Sequence, residues 1–151
     1  MILVALSATA QVPLVNQGLA GVASGTLTIT DNAAKNPQKV ALAGEGTVIT
    51  ISPVAVNFSD ETVGSMSSVE QITLTNPGTS AVSIGAIGLT GTNSGDFKTA
   101  NNRGKSVAMN GTCIIKVAFK TTASGAQSAS VTMTDNGGGS PQTVALTGTG
   151  T

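Results

Sequence analysis

One hundred and fifty-one residues hold seven basic and seven acidic side chains, so the chain has no net charge at pH 7. Apolar residues make up 40% and charged ones 9%, which supplies a packed core and excludes disorder driven by charge. With no His, Trp or Tyr, one Cys and three Phe, the chain excludes a Ser-His-Asp triad, a Cys-His dyad and a histidine metal site. It also lacks the basic clusters and stacking rings of a nucleic-acid groove.

In chain order, residues 1–11 allow two readings. Ala8-Thr9-Ala10 has the small-x-small pattern of a secretory cleavage site, although no basic residues precede it and the apolar run is short. Alternatively, Ile2, Val4 and Leu6 alternate onto one face of an extended strand. No segment approaches the ~20 apolar residues of a membrane-spanning helix.

Residues 12–47 read as three strands: Val12 to Val15, Ser24 to Thr30 and Gln38 to Ala43. Beyond them nearly every segment has period two, the mark of half-buried strands. Val54, Val56 and Phe58 share a face, as do Ile72 and Leu74 before the turn Asn76-Pro77-Gly78-Thr79. Val82 and Ile84 share a face until Gly85-Ala86 shifts the phase to Ile87 and Leu89, which predicts a β-bulge. Cys113, Ile115, Val117 and Phe119 point inward while Ile114, Lys116, Ala118 and Lys120 point out. Val131 and Met133, then Val144 and Leu146, complete the inward set. Seven or so short strands separated by turn residues in about 100 positions predict an all-β, immunoglobulin-like sandwich.

The chain also repeats itself. Residues 24–47 return without a gap as residues 128–151, with 13 of 24 positions identical. Such repetition points to a modular or stacking architecture. It divides the chain into a partial module at 12–47, holding the last three strands of a sandwich, and a complete module at 48–151.

These motifs carry a family resemblance. Val56-Asn57-Phe58, Thr62-Val63-Gly64-Ser65, Ile72-Thr73-Leu74-Thr75-Asn76-Pro77-Gly78, Gly95-Asp96-Phe97, Cys113 to Phe119 and Pro141 to Gly150 resemble the Ig-like repeat of bacterial choice-of-anchor D surface proteins. That repeat is similar to the domain of Hydin and abnormal-spindle proteins, and more distantly to major sperm protein and PapD-type sandwiches. The resemblance implies an extracellular structural or adhesive role without shared catalytic residues. It also implies that a cysteine in the loop Asn101 to Lys105 often pairs with the equivalent of Cys113. Arg103 stands near that place here, so this disulfide cannot form within the chain, and Cys113 reads as a small buried apolar residue.

The remaining candidates are weak. Asp31-Asn32 and Asp135-Asn136 open hairpin loops, where one carboxylate each is too few for Ca²⁺ and Asx-turns account for both. Asp60 and Glu61 are neighbours pointing to opposite sides, unsuited to acid-base work. Lys98, Arg103 and Lys105 lie on one long loop, and Asp96 reads as loop geometry. The sequence therefore predicts no enzyme activity, cofactor, metal site or nucleic-acid partner.

The partial module supplies the positive signal. Val12, Leu14, Leu27, Ile29, Val40 and Leu42 form an apolar face that needs cover, because burial is worth roughly 25 cal/mol per Å² and small isolated sheets are marginal in water. The reading is an extracellular, self-assembling or tandem-stacking structural subunit: a homo-oligomer or polymer built by β-strand addition, as filament, surface layer or stalk. Ile2, Val4 and Leu6 are its donor side chains, and residues 12–46 its acceptor. The alternative is an adhesin or virion-decoration module that recognises a surface or glycan through its loops.

Overall fold

The computed structural model describes residues 21–32, 34–102 and 104–151. Alternating apolar and hydroxyl-bearing residues produce eleven strands. They are β1 (Gly21–Ile29), β2 (Gln38–Gly46), β3 (Thr50–Ser52), β4 (Ala55–Asn57), β5 (Glu70–Thr75) and β6 (Val82–Thr90), then β7 (Phe97–Asn101), β8 (Ser106–Val107), β9 (Thr112–Phe119), β10 (Gly125–Asp135) and β11 (Gln142–Gly150). Among the described residues the only helical element is a 3-10 turn at Ser94–Asp96.

Strands β3 to β11 form the sandwich. One layer has the order β4-β11-β10-β6-β8 and the other β3-β5-β9-β7. All pairs are antiparallel except β4 with β11. The inward set is that of the sequence: Ile72, Leu74, Ile115, Val117, Phe119, Val131, Met133, Val144 and Leu146 are all fully buried. At one end of the core all three phenylalanines meet, with Phe97 and Phe119 ring centroids 5.0 Å apart and Phe58 about 6 Å from each, a spacing typical of favourable aromatic pairs. The predicted bulge is present: Thr134 opposes Ala86 and Asp135 opposes Ile84, so Gly85 is passed over.

Two inward or outward assignments need correction. Val54 is 73% exposed, because the chain crosses from one layer at β3 to the other at β4 just there, and a period of two does not survive a change of sheet. Ala118 is buried rather than outward and exposed; it pairs with Lys98 across the β7–β9 ladder, and its small side chain lies below the longer ones around it.

Strands β1 and β2 form a separate two-stranded sheet. Their register repeats that of β10 and β11 with a constant offset of 104: Gly21 opposes Gly46 as Gly125 opposes Gly150, and Ile29 opposes Gln38 as Met133 opposes Gln142. The sequence repeat is thus a repeat of structure. The third expected strand of the partial module, Val12 to Val15, lies outside the described residues, as do Ile2, Val4, Leu6, Val12 and Leu14.

Candidate functional site

The two hairpins share residues and register but not surroundings. Val131, Met133, Val144 and Leu146 are 0% exposed, whereas their counterparts Ile29 and Val40 are 43% and 47% exposed, and Leu27 and Leu42 are half-buried. Val22 is 80% exposed. The structure therefore brings Leu27, Ile29, Val40 and Leu42 together on one hairpin, with no layer over them among the described residues.

The strand edges differ in the same way. The outer edge of β10 is taken by β6 and that of β11 by β4. Beyond β4 the chain still follows β11: Phe58 N donates to Thr147 O at 2.8 Å and Glu61 N to Thr149 O at 2.9 Å. Neither β1 nor β2 has a strand on its outer edge among the described residues. An unpaired edge presents a row of N–H and C=O groups, a template for another strand.

The base of the exposed hairpin is held by the turn that the sequence marks as Asn76-Pro77-Gly78-Thr79. Asn76 is fully buried. Its Nδ2 donates toward the carbonyls of Ser80 (2.8 Å), Val107 (3.0 Å) and Ala108 (3.1 Å), while its Oδ1 accepts from Gly78 N at 3.0 Å. A buried amide so engaged locks the loop. Thr47 then rests against Gly78, where a Cβ would come within 2.1 Å of its side chain. Thr79 Oγ1 donates to Glu45 Oε2 at 2.8 Å, and Gly138 N to Thr47 O at 2.8 Å. Sequence reasoning read this motif as a turn; its second role, as a foothold for the hairpin, depends on contacts 30 or so residues away and left no local signal.

The hairpin tips also correspond. Asp31 N donates to Asn36 Oδ1 at 3.1 Å and Asp135 N to Ser140 Oγ at 2.9 Å, each five residues on. Gln38 Nε2 donates to Asp31 Oδ2 at 3.2 Å. In the second copy Asp135 Oδ1 accepts from Gly137 N at 2.7 Å, an Asx-turn, but Asp135 Oδ2 and Gln142 Oε1 are buried without a partner. A half-turn of the Gln142 amide, exchanging its oxygen and nitrogen, supplies the donor that Asp31 receives from Gln38. Burial pushes the Asp135 carboxyl above the usual carboxylate range, opposed by the Gly137 N–H and by Gln142.

Residues 47–143 match the family model described as ASH, abnormal spindle-like microcephaly-associated, ASPM-SPD-2-Hydin. The chain belongs to the ASH family. No curated protein matches it. Among solved structures, a protein of unknown function from Porphyromonas gingivalis W83 is similar with a TM-score of 0.56 at 9% identity, over 87% of this chain and 66% of that one. The ASH/PapD-like domain 7 of human CEP192 is similar with a TM-score of 0.50 at 16% identity, over 70% of this chain and 87% of that one. A family 123 glycoside hydrolase from Clostridium perfringens is similar with a TM-score of 0.52 at 10% identity, over 69% of this chain but 27% of that one. This chain thus spans just under two thirds of the P. gingivalis protein and about a quarter of the hydrolase. At these identities the likeness is one of fold.

Within the ASH sandwich the other sequence candidates take structural places. Asp96 is buried, and its Oδ1 accepts from Thr122 N at 2.8 Å and Thr122 Oγ1 at 2.7 Å, tying the 3-10 turn to the end of β9. Cys113 is buried opposite Leu74, the environment of a small apolar residue. Glu61 works through its backbone, bracketing the end of β11 with Thr149 and Thr151. Lys98 Nζ donates to the Gly95 carbonyl at 2.9 Å, and the Lys105 carbonyl accepts from Ile84 N; Arg103 lies outside the described residues. No group of three His, Cys, Asp or Glu side chains converges among the described residues.

Proposed function

We propose that this ASH chain is a structural, non-catalytic module of an exported surface protein of the choice-of-anchor D kind, and that it assembles with its neighbours by β-strand addition at the hairpin β1–β2. The observation that carries this reading is the contrast between twin hairpins: the residue types that are fully buried in β10–β11 are half-buried or exposed in β1–β2, whose two outer strand edges are unpaired among the described residues. Apolar area and open backbone groups in one place are what β-augmentation uses, the edge for affinity and the side chains for specificity. Ile2, Val4 and Leu6 remain the proposed donor side chains, with the 12–46 strands as acceptor. Sparse charge and abundant Ser and Thr suit a surface-displayed sandwich.

Light scattering and electron microscopy of the purified chain test the reading. Regular assemblies are expected, lost when residues 1–8 are deleted while the 48–151 sandwich keeps its thermal transition. A chain that stays monomeric at high concentration, or assemblies indifferent to that deletion, would sink the donor-strand scheme. The monomer would turn attention to ligand recognition by the loops.

A further inference from the structure

The loop that joins β10 to β11 begins Asp135-Asn136-Gly137, an asparagine followed by a residue without a Cβ. The backbone nitrogen of the residue after an asparagine can attack the side-chain carbonyl carbon. It does so best when a base takes its proton and a donor steadies the carbonyl oxygen. Both aids are in place here. Gly137 N donates to Asp135 Oδ1 at 2.7 Å, within the reach of a general base. Asn136 Oδ1 accepts from Ser83 N at 2.8 Å, and Asn136 N donates back to Ser83 O at 3.1 Å. The Ser83 N–H fixes the orientation of the amide, since it bonds to the oxygen and not to the nitrogen. Asn136 is exposed, so solvent water reaches it. Burial already lifts the Asp135 carboxyl above the usual carboxylate range, which makes it the stronger base.

Two other loops carry related sequences without this arrangement. Asn110-Gly111 lies in the turn before β9, but Gly111 N donates to the Ala108 carbonyl at 2.9 Å, and a peptide carbonyl does not take up a proton near neutral pH. In the twin hairpin, Asp31-Asn32 is followed by Ala33, whose methyl crowds the attacking nitrogen. At Gly137 the structure leaves no room for that methyl: a Cβ would lie 2.9 Å from Asp135 Oδ1 and 3.1 Å from the Thr47 carbonyl oxygen. Glycine is the residue that permits so close an approach to the backbone.

We propose that Asn136-Gly137 is a self-modification site, where Asp135 as general base and the Ser83 N–H as oxyanion donor promote cyclisation of Asn136 to a succinimide. As the Gly137 nitrogen bonds to Asn136 Cγ, its proton passes to Asp135 and the carbonyl electron pair moves onto Oδ1. That pair returns as the Cγ–Nδ2 bond breaks, and the proton passes from Asp135 to the leaving nitrogen, which departs as ammonia. Water then opens the ring at either carbonyl, leaving aspartate or isoaspartate at position 136. Isoaspartate lengthens the main chain just before Gly138, whose N–H holds Thr47 O at 2.8 Å. The reaction therefore loosens the foothold of β1–β2. This proposal is independent of the assembly reading above.

The test incubates the purified chain at neutral pH, folded and in denaturant, and follows each asparagine by peptide mapping and mass spectrometry. In the folded chain Asn136 is expected to convert first, about tenfold or more ahead of Asn110, and faster than it does in denaturant. Asp135→Asn keeps an acceptor for Gly137 N but removes the base. It is expected to slow conversion of Asn136 about tenfold or more in the folded chain, with no comparable change in denaturant. Conversion of Asn136 that is slower folded than denatured overturns the proposal. A rate unchanged or raised by Asp135→Asn does the same, since the hydrogen bond then shields the nitrogen instead of activating it. Should that variant fail to fold, the parent chain decides: Asn136 ahead of Asn110 and ahead of its own denatured rate supports the proposal, and any other order overturns it. Aged chain carrying isoaspartate is expected to exchange the Gly138 amide faster than fresh chain; unchanged exchange overturns the effect on the foothold.

Discussion

Hairpins β1–β2 and β10–β11 share their register and inward residue types, yet the inward side chains of β10–β11 are fully buried while those of β1–β2 are half-buried or exposed. The difference teaches that strand pairing is a local property of this sequence, whereas burial is conferred by whatever sheet lies opposite. In the sandwich, β10–β11 is covered by β5 and β9 and flanked by β6 and β4. Hairpin β1–β2 has neither cover nor flanks among the described residues, and it is held at its base by Glu45, Thr47 and the Asn76 turn.

Substitutions at matched positions should break the symmetry most. Leu146→Ala removes a fully buried side chain and is expected to cost about 2–5 kcal/mol in urea unfolding of the sandwich. Leu42→Ala, in a half-buried place, should cost below about 1 kcal/mol. Equal losses would mean that the two hairpins are equally covered in solution. Next, Gly148→Ala drives a methyl into the Phe119 ring and should destabilise by about 1–3 kcal/mol.

A change at the hairpin base should come third. Asn76→Ala leaves the carbonyls of Ser80, Val107 and Ala108 short of a donor and is expected to cost about 1–3 kcal/mol. It should also accelerate amide exchange at Gly138, whose N–H bonds to Thr47, more than at β9. Uniform acceleration would refute a local foothold at the base.

Asp135 offers a gentler, pH-dependent contrast. Its folded pKa lies above the unfolded value because burial disfavours the charged form, so the unfolded chain releases this proton first as pH rises. The native state carries no penalty from it below the unfolded pKa, acquires one as pH climbs through the carboxylate range, and carries all of it above the raised folded pKa. Asp135→Asn keeps the acceptor for Gly137 N and should gain stability relative to the parent as pH rises across that range. A difference that is flat with pH would show that Asp135 does not titrate abnormally. The smallest expected effect is Thr79→Ala, which removes an exposed bond to Glu45 and should change stability by a few tenths of a kcal/mol, detectable as faster exchange at the base of β2.

Much of this was legible in the chain itself. Alternation named the inward residues of β5, β9, β10 and β11, and the Gly85-Ala86 phase shift located the bulge, because each depends on neighbours one or two positions away. Val54 misled because its environment is set by a crossing between layers. The role of Asn76 was hidden because its partners at Val107 and Ala108 are more than 30 residues distant. The division of strands between layers was equally unreadable: β3 and β4 are near neighbours in sequence yet belong to opposite sheets.

By itself, then, the sequence determined an all-β chain with a repeated closing hairpin, since side-chain period, turn residues and register are written locally and recur with the same spacing. Only the tertiary structure decided which copy is covered. Burial requires a second layer at about 10 Å, and among the described residues that layer lies over β10–β11 and not over β1–β2.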